Sequence, residues 1–369
     1  MWMIARNKSP KIVISGYYGF DNCGDEAVLL AMLHCLRLLY PDAKITVLSG
    51  NPEKTREIYG VKAVSRWSPV KIAREILSCR LLISGGGSLL QDVTSSRSPS
   101  YYLGVIRMAL FLRKRVMIYS QGVGPLTGEK NRAMVAKTLN RCHEITLRDA
   151  HSAELLKELG VTRDMQVTCD PVMALRREDV INAEFANEKW KDQLNPDKPL
   201  LMVAIRCWKD DSHIAPVARL LDIQVENGWN VLLVPAHFPD DMEAIAKLRN
   251  HMAAKPFCID KSLHANEFLS LAALADRVFS MRLHGLICAM AMGTTMLGLS
   301  YDPKVSAFMH QAGLADYCLS VDNFDLDLAK HMIERLDVLT QQSRESMEAR
   351  RIEMRQMAWR TAELAARLF

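Results

Sequence analysis

"RVFSMRLHGLICAMAMGTTMLGLSYDP", Arg277–Pro303, is the stretch on which the fold turns. Val278–Ser280 reads as a short strand, and Leu286–Met292 is an unbroken apolar run of helical character. Gly293, Thr294 and Thr295 make a turn, and Met296–Leu299 reads as a second strand. A strand, a helix and a strand in so few residues form a crossover between parallel strands, and a helix with no polar face must pack against a sheet. The one polar break is at the first corner, where Arg282 and His284 stand beside the start of the apolar helix. The stretch is also nearly free of charge from Leu283 to Tyr301, but Gly293 and Gly298 divide it too finely for a membrane span.

The same alternation extends outward in both directions. Strands are expected at Lys11–Ser15, Ile45–Ser49, Val61–Ser65, Leu81–Ser84, Val116–Ser120, Ile145–Leu147 and Gln166–Thr168, with helices between them. From about Pro171 to Lys198 the pattern lapses into a charged, Asn-rich segment ending in Asn195-Pro-Asp-Lys-Pro199. A second alternation follows, with strands at Leu200–Ile205, Val231–Val234, Phe257–Ile259, Val278–Ser280, Met296–Leu299 and Leu319–Val321. The expected fold class is α/β, with two doubly wound Rossmann-like domains facing a cleft. The domains are residues 1–175 and 199–340, with a linker over 176–198 and a C-terminal amphipathic helix over 341–369. That helix reads most simply as packing across the domain boundary. The sharper alternative is a basic surface helix that touches a membrane.

Bulk properties narrow the classes. The 369 residues carry a net charge of +5, are 49% hydrophobic and 24% charged, and so describe a soluble globular chain. The mild positive charge suits an anionic small substrate or a membrane surface, and no nucleic-acid motif accompanies it. Nine cysteines, odd in number and never spaced Cys-x-x-Cys, point to reduced thiols rather than disulfides or zinc. The N-terminus shows no secretory signal, so a cytoplasmic location is expected.

Ligands of open α/β sheets gather beyond the carboxyl ends of the strands, which directs attention to four corners. "GYYGFDNCGDE", Gly16–Glu26, joins three glycines to Asn22, Asp25 and Glu26, suited to a sugar hydroxyl; a helix cap at Asn22 or Asp25 is the plainer reading. "SGGGSLLQD", Ser84–Asp92, offers a nest of backbone N–H groups at Gly86 and Gly87, with Ser88 and Asp92 on the outgoing turn. "SQGVGP", Ser120–Pro125, is a further Gly-rich turn, read as a plain loop. "AIRCW" ends the first strand of the second domain at Arg206, for which a salt bridge is the competing role. "PAHFPDD", Pro235–Asp241, adds His237, with Asp240 ready to cap the next helix. Two arginines, an imidazole and a helix N-terminus near Gly285 fit a ligand with phosphate or carboxylate groups. Metalloprotease, nucleophile-elbow and Walker patterns are missing from the sequence.

In this order across nearly the whole chain, "GYYGFDNCGDE", "SGGGSLLQD", "SQGVGP" and "SMRLHGLICAMAMGTTMLGLSYDPKV" resemble the polysaccharide pyruvyl transferase family. The resemblance is closest to bacterial members that modify the secondary cell wall polymer anchoring surface-layer proteins. It implies a fold similar to the B-type glycosyltransferases and a cytoplasmic enzyme that takes phosphoenolpyruvate as co-substrate, with no cofactor and no metal. It also implies a 4,6-linked pyruvate ketal on N-acetylmannosamine of a lipid-diphosphate-linked disaccharide precursor, which expects peripheral contact with the inner membrane face. On that basis Arg206, Arg282, Leu283, His284 and Gly285 are expected to hold the donor. Tyr17, Asn22, Gly24, Asp25, Gly86, Gly87 and Ser88 are expected on the acceptor side. His284 is the candidate acid, with Asp25 and Asp92 as candidate bases. A nucleotide-sugar glycosyltransferase of the same architecture, or a binding protein that retains the site, are the rival readings.

Overall fold

The computed structural model describes residues 9–92, 98–181, 185 and 190–368. The chain forms two compact units. Of the described residues, the first unit takes those up to Phe20, Val28–Ala174 and those from Gln356 onward; the second takes Asp21–Ala27 and Leu175–Arg355.

The first unit is built on an eight-stranded sheet. Its strands are β1 (Lys11–Ser15), β2 (Lys44–Ser49), β3 (Lys62–Ser65), β4 (Leu81–Ser84), β5 (Gly87–Leu90), β6 (Arg115–Val123), β7 (Glu144–Leu147) and β8 (Gln166–Val167). They lie in the order β3-β2-β1-β4-β6-β7-β8, and β5 pairs beside β6. Every pairing is parallel, so the strands are covered on both faces, and residues such as Ile12, Ile14, Leu82, Ile83 and Met117 are buried in unbroken runs. β5 is an addition to the expected set: the stretch after the glycines pairs with Gln121 and Val123 of β6.

The second unit has six strands: β9 (Leu200–Ala204), β10 (Asn230–Leu233), β11 (Phe257–Cys258), β12 (Arg277–Ser280), β13 (Thr295–Ser300) and β14 (Cys318–Ser320). Their order is β11-β10-β9-β12-β13-β14, again all parallel. The decisive crossover is realised by the helix Leu283–Met292, in which Leu286, Ile287, Cys288, Ala289 and Ala291 are at most 1% exposed. Burial of this kind contributes about 1.5–3 kcal/mol per large side chain. Gly293 stops the helix in the left-handed region at φ 71°, a conformation costly for any residue with a Cβ.

Two allocations differ from the sequence-based expectation. Asn22, Gly24 and Asp25, expected in the N-terminal domain, cluster with the second unit. The C-terminal region forms two helices, Leu326–Asp337 and Gln341–Ala366, and the end of the second belongs to the first unit. There Ala358, Thr361, Ala362 and Ala365 are buried. Thr361 shares hydrogen bonds with Ser120 (3.1 Å) and Thr168 (3.0 Å), and Tyr40 donates to the Ala366 carbonyl (2.8 Å). The apolar seam of this segment is therefore spent on the protein's own core, which is the physical reason it is no free membrane helix. Among the described residues, no helix is long and apolar enough to cross a membrane. All nine cysteines are free thiols.

Candidate active site

In each unit the strand order reverses next to its first strand, and the polar corners lie at these points. β9 is flanked by β10 and β12, and Ala204 pairs with Ser280. Arg206 and Arg282 each lie two residues beyond that pair, so the register brings both arginines to the carboxyl edge at the topological switch point. This is where open α/β sheets bind ligands. Ser280 steadies the corner by donating to the Arg282 carbonyl (2.8 Å), and Gly285 leaves room for it: a Cβ there would stand 2.3 Å from the Ser280 hydroxyl.

Arg282 is not a lone cation. Its Nε lies 3.1 Å from both carboxylate oxygens of Asp241, and Nη2 also donates to Asp241. Asp241 is fully buried and accepts in addition from the backbone N–H of Ala236 (3.1 Å) and His237 (3.0 Å). One carboxylate thus shapes the whole "PAHFPDD" turn and aims the guanidinium, whose Nη1 makes no hydrogen bond among the described residues. Asp241, not Asp240, precedes the helix Met242–His251; Asp240 pairs with His237 at 3.1 Å.

Residues 21–27 complete this corner. The Cys23 N–H donates to the Ala236 carbonyl (2.9 Å), and Asn22 bridges to His237. Asn22 Oδ1 accepts from the N–H of Gly24 (3.0 Å) and Asp25 (3.3 Å), so Asn22 caps the helix Cys23–Leu39. Gly24 lies hard against the imidazole: a Cβ on it would stand 2.1 Å from His284 Nδ1. Only a glycine lets the helix start come this close to the histidine, and it brings half-buried Asp25, one residue on, into the unit that carries His284.

Arg206 sits in an aromatic setting. Its guanidinium lies over the rings of Tyr301 (5.0 Å) and Trp208 (5.7 Å) and donates to the Tyr301 hydroxyl at 3.3 Å. No carboxylate pairs with it among the described residues, so its charge is not neutralised, unlike that of Arg282. The neighbouring Cys207, Asp211 and Glu243 bring their ligand atoms within 4.8 Å of one another, a spacing that would admit a cation. Lys247 already fills that role, with Nζ 2.7 Å from Asp211 and 2.6 Å from Glu243. Those bonds push the lysine pKa up, so an ammonium satisfies the cluster.

In the first unit the Gly-rich corners serve packing more than a nest. Gly85, Gly86 and Gly87 are buried. A Cβ on Gly85 would meet the Tyr18 hydroxyl at 2.2 Å, and one on Gly86 would meet Val28 at 2.8 Å. The Gly85 N–H is spent on the Ser15 carbonyl (2.8 Å). "SQGVGP" is more than a plain loop, because Gln121 donates to Ser84 Oγ and to the Gly85 carbonyl, both at 2.9 Å. Ser88 accepts from Arg148 at 2.8 Å, and Arg148 lies flat on Gly122, where a Cβ would be 2.7 Å from its Nε.

Asp92 is a brace and not a base. Its carboxylate accepts from Thr127 N–H (2.8 Å) and Oγ1 (3.1 Å), Gly128 N–H (3.0 Å) and Asn131 Nδ2 (3.1 Å). Burial works to raise its pKa, but the hydrogen bonds overcome this and hold it at about 2, too low for proton abstraction near neutrality. Because the folded pKa is depressed, the contribution of Asp92 to stability is full above about pH 4 and is lost as pH falls through about 2. Acid unfolding followed by circular dichroism over that window is expected to flatten in Asp92→Asn, with activity near neutrality little changed.

One cluster was missed from the sequence. Arg66, 6% exposed, follows the carboxyl end of β3 and donates to the Gly16 carbonyl (3.3 Å) and the Tyr102 hydroxyl (3.4 Å). The rings of Phe20, Trp67, Tyr101 and Tyr102 surround its guanidinium at 5.2, 5.2, 4.2 and 5.2 Å. Tyr17 stacks on Phe20 at 4.3 Å. The signal was available: Arg66 follows the strand Lys62–Ser65 as Arg206 follows Leu200–Ala204, an arginine just beyond a strand end.

The sequence profile described as polysaccharide pyruvyl transferase matches residues 22–303. The amylovoran biosynthesis protein AmsJ of Erwinia amylovora is 20% identical, over 93% of this chain and 96% of its own length. The UDP-GlcNAc 2-epimerase of Neisseria meningitidis superposes with a TM-score of 0.66 at 10% identity, covering 97% of this chain and 99% of that one. Anabaena Alr3699/HepE, solved with UDP-glucose, gives 0.64 at 12% identity, covering 96% and 99%. At such identities the structural matches speak for the fold alone, which is similar to that of the B-type glycosyltransferases.

Proposed function

Since the chain belongs to the polysaccharide pyruvyl transferase family and is a transferase of polysaccharide pyruvylation, we propose that its donor is phosphoenolpyruvate, held at the switch point of the second unit. The observation that supports this reading is the β9–β12 register, by which Arg206 and Arg282 each follow the paired residues Ala204 and Ser280 by two positions at the same edge of the sheet. Phosphoenolpyruvate bears a phosphate and a carboxylate a few ångströms apart. Two guanidiniums and the N-terminus of the helix Leu283–Met292 suit such a pair of anions. Arg206 supplies the charge that is not neutralised. Arg282, oriented by Asp241, supplies directed hydrogen bonds through Nη1, and the N–H groups of Leu283 and His284 begin the helix.

The chemistry asks for one proton in and two out. His284 gives a proton to C3 of the enol, which leaves C2 cationic. A sugar hydroxyl adds at C2 and loses its proton, for which Asp25 is the base on hand. The C2–O bond to phosphate then breaks, phosphate departs, and the second hydroxyl adds at C2, losing its proton to close the ketal. The acceptor in this reading is a lipid-diphosphate-linked disaccharide containing N-acetylmannosamine, modified at its 4- and 6-hydroxyls. Within the first unit, the Tyr17–Phe20 stack and the rings around Arg66 offer apolar faces suited to a sugar ring.

The test is incubation with phosphoenolpyruvate and a synthetic diphosphate-linked amino-sugar disaccharide. The expected result is phosphate release together with a product heavier by one pyruvate ketal. Turnover only with a nucleotide sugar would overturn the donor assignment in favour of glycosyl transfer.

A further inference from the structure

We infer that the first unit docks on an anionic phospholipid bilayer through the face formed by the helices Pro69–Ser78 and Ser98–Phe111. This deepens the preceding reading, whose acceptor is lipid-linked, but it stands on separate observations.

The first observation is exposure. Trp67 is 67% exposed, Val70 75%, Leu77 57% and Phe111 82%, and exposed apolar surface that is contiguous marks an interaction site. Val70, Arg74 and Leu77 follow one another at helical spacing, and Val70, Ala73 and Leu77 line one shallow groove. The two helices run side by side. Their beginnings meet where the Trp67 and Tyr101 rings lie 6.4 Å apart, and their ends meet where Lys114 Nζ donates to the Leu77 carbonyl (2.7 Å).

The second observation is charge. The exposed charges of these helices are Lys71, Arg74 and Arg107; their one carboxylate, Glu75, is buried and paired with Lys62. Arg74 also lines a pocket at the amino-terminal edge of the sheet with Lys11, Arg37, Lys44 and Lys62, where Glu75 is again the one carboxylate among the described residues. Leu38, next to Arg37, is 60% exposed. Apolar side chains bordered by cations of a single sign match an interface in which acyl chains lie beside phosphate headgroups. A protein partner of ordinary composition would require no such one-sided charge.

This face also adjoins the aromatic cluster of the first unit. The helix Pro69–Ser78 begins beside Arg66 and Trp67, where the aromatic cluster lies, and ends at the basic pocket. A bilayer on this face brings a lipid-anchored sugar to the carboxyl edge of β3 without extracting the lipid.

The test is flotation of the full chain with vesicles of phosphatidylcholine containing about 30% phosphatidylglycerol, and with phosphatidylcholine alone. Binding is expected only to the anionic vesicles and is expected to weaken as salt rises. Val70→Glu/Leu77→Glu and Lys71→Glu/Arg74→Glu alter exposed positions, so the Tm is expected to hold while vesicle binding falls at least ~10-fold. Undiminished binding by both variants, or no binding of the unaltered chain, would overturn the inference. So would a dimer that these substitutions dissolve in the absence of lipid. Pyruvyl transfer to a water-soluble acceptor is expected to survive in both variants. Vesicle binding without any transfer counts against the proposed function and leaves the docking face standing.

Discussion

His284→Ala is expected to lower kcat for phosphate release from phosphoenolpyruvate by about 10²- to 10⁴-fold, the usual share of a positioned proton donor. The loss should fall on kcat more than on KM, because the arginines and the helix start remain. Stability should hardly move, since the imidazole is half-buried and stands at the edge of the helix Leu283–Met292. Gly24→Ala offers an independent route to the same outcome. Its new methyl would lie 2.1 Å from His284 Nδ1, so the imidazole or the start of the helix Cys23–Leu39 must shift. A displacement of that size is enough to cost about 10²-fold when a reacting group is held in fixed geometry. Steady-state kinetics on both variants decides the matter: a loss below about tenfold in His284→Ala would remove the residue from proton transfer.

Asp241→Ala is expected to do damage of another kind. The substitution leaves the Arg282 cation without its partner and strips an acceptor from the Ala236 and His237 N–H groups in a place with no exposure to water. Removing one member of a buried ion pair costs about 3–5 kcal/mol. The lower end applies here, because the Arg282 side chain is 17% exposed and water recovers part of the charge. About 3 kcal/mol in a unit of this size lowers Tm by roughly 6–12 °C. Calorimetry measures this directly. Asp241→Asn, which keeps an acceptor but not the charge, should fall between the parent and the alanine variant. A Tm within about 1 °C of the parent in Asp241→Ala would show that Arg282 does not depend on this carboxylate.

These two experiments bear on what a reader of the sequence had in hand. Arg206, Arg282 and His284 were legible because each stands at a strand end, and a strand end is recognised from a few neighbouring residues. Arg66 and Arg148 follow the same rule after β3 and β7, and applying it evenly would have found both. Asp92 misled, since a carboxylate after a Gly-rich turn reads the same whether it meets a substrate or four donors supplied by residues 127–131.

By itself the sequence determined the alternation of strands and helices, the parallel sheets that follow from it, and the corners where polar residues gather. These are local matters, set by periodicity and by glycines within a few residues of each other. Tertiary structure alone decided that Asp241 holds Arg282 from 41 residues away and that residues 21–27 belong with His284 rather than with the first sheet. It also decided that the last helix closes the core of the first unit, through Thr361 and the hydroxyls of Ser120 and Thr168. Partners of this kind are chosen by packing and by the cost of leaving a buried polar group unpaired, and neither quantity is written in the spacing of residues along the chain.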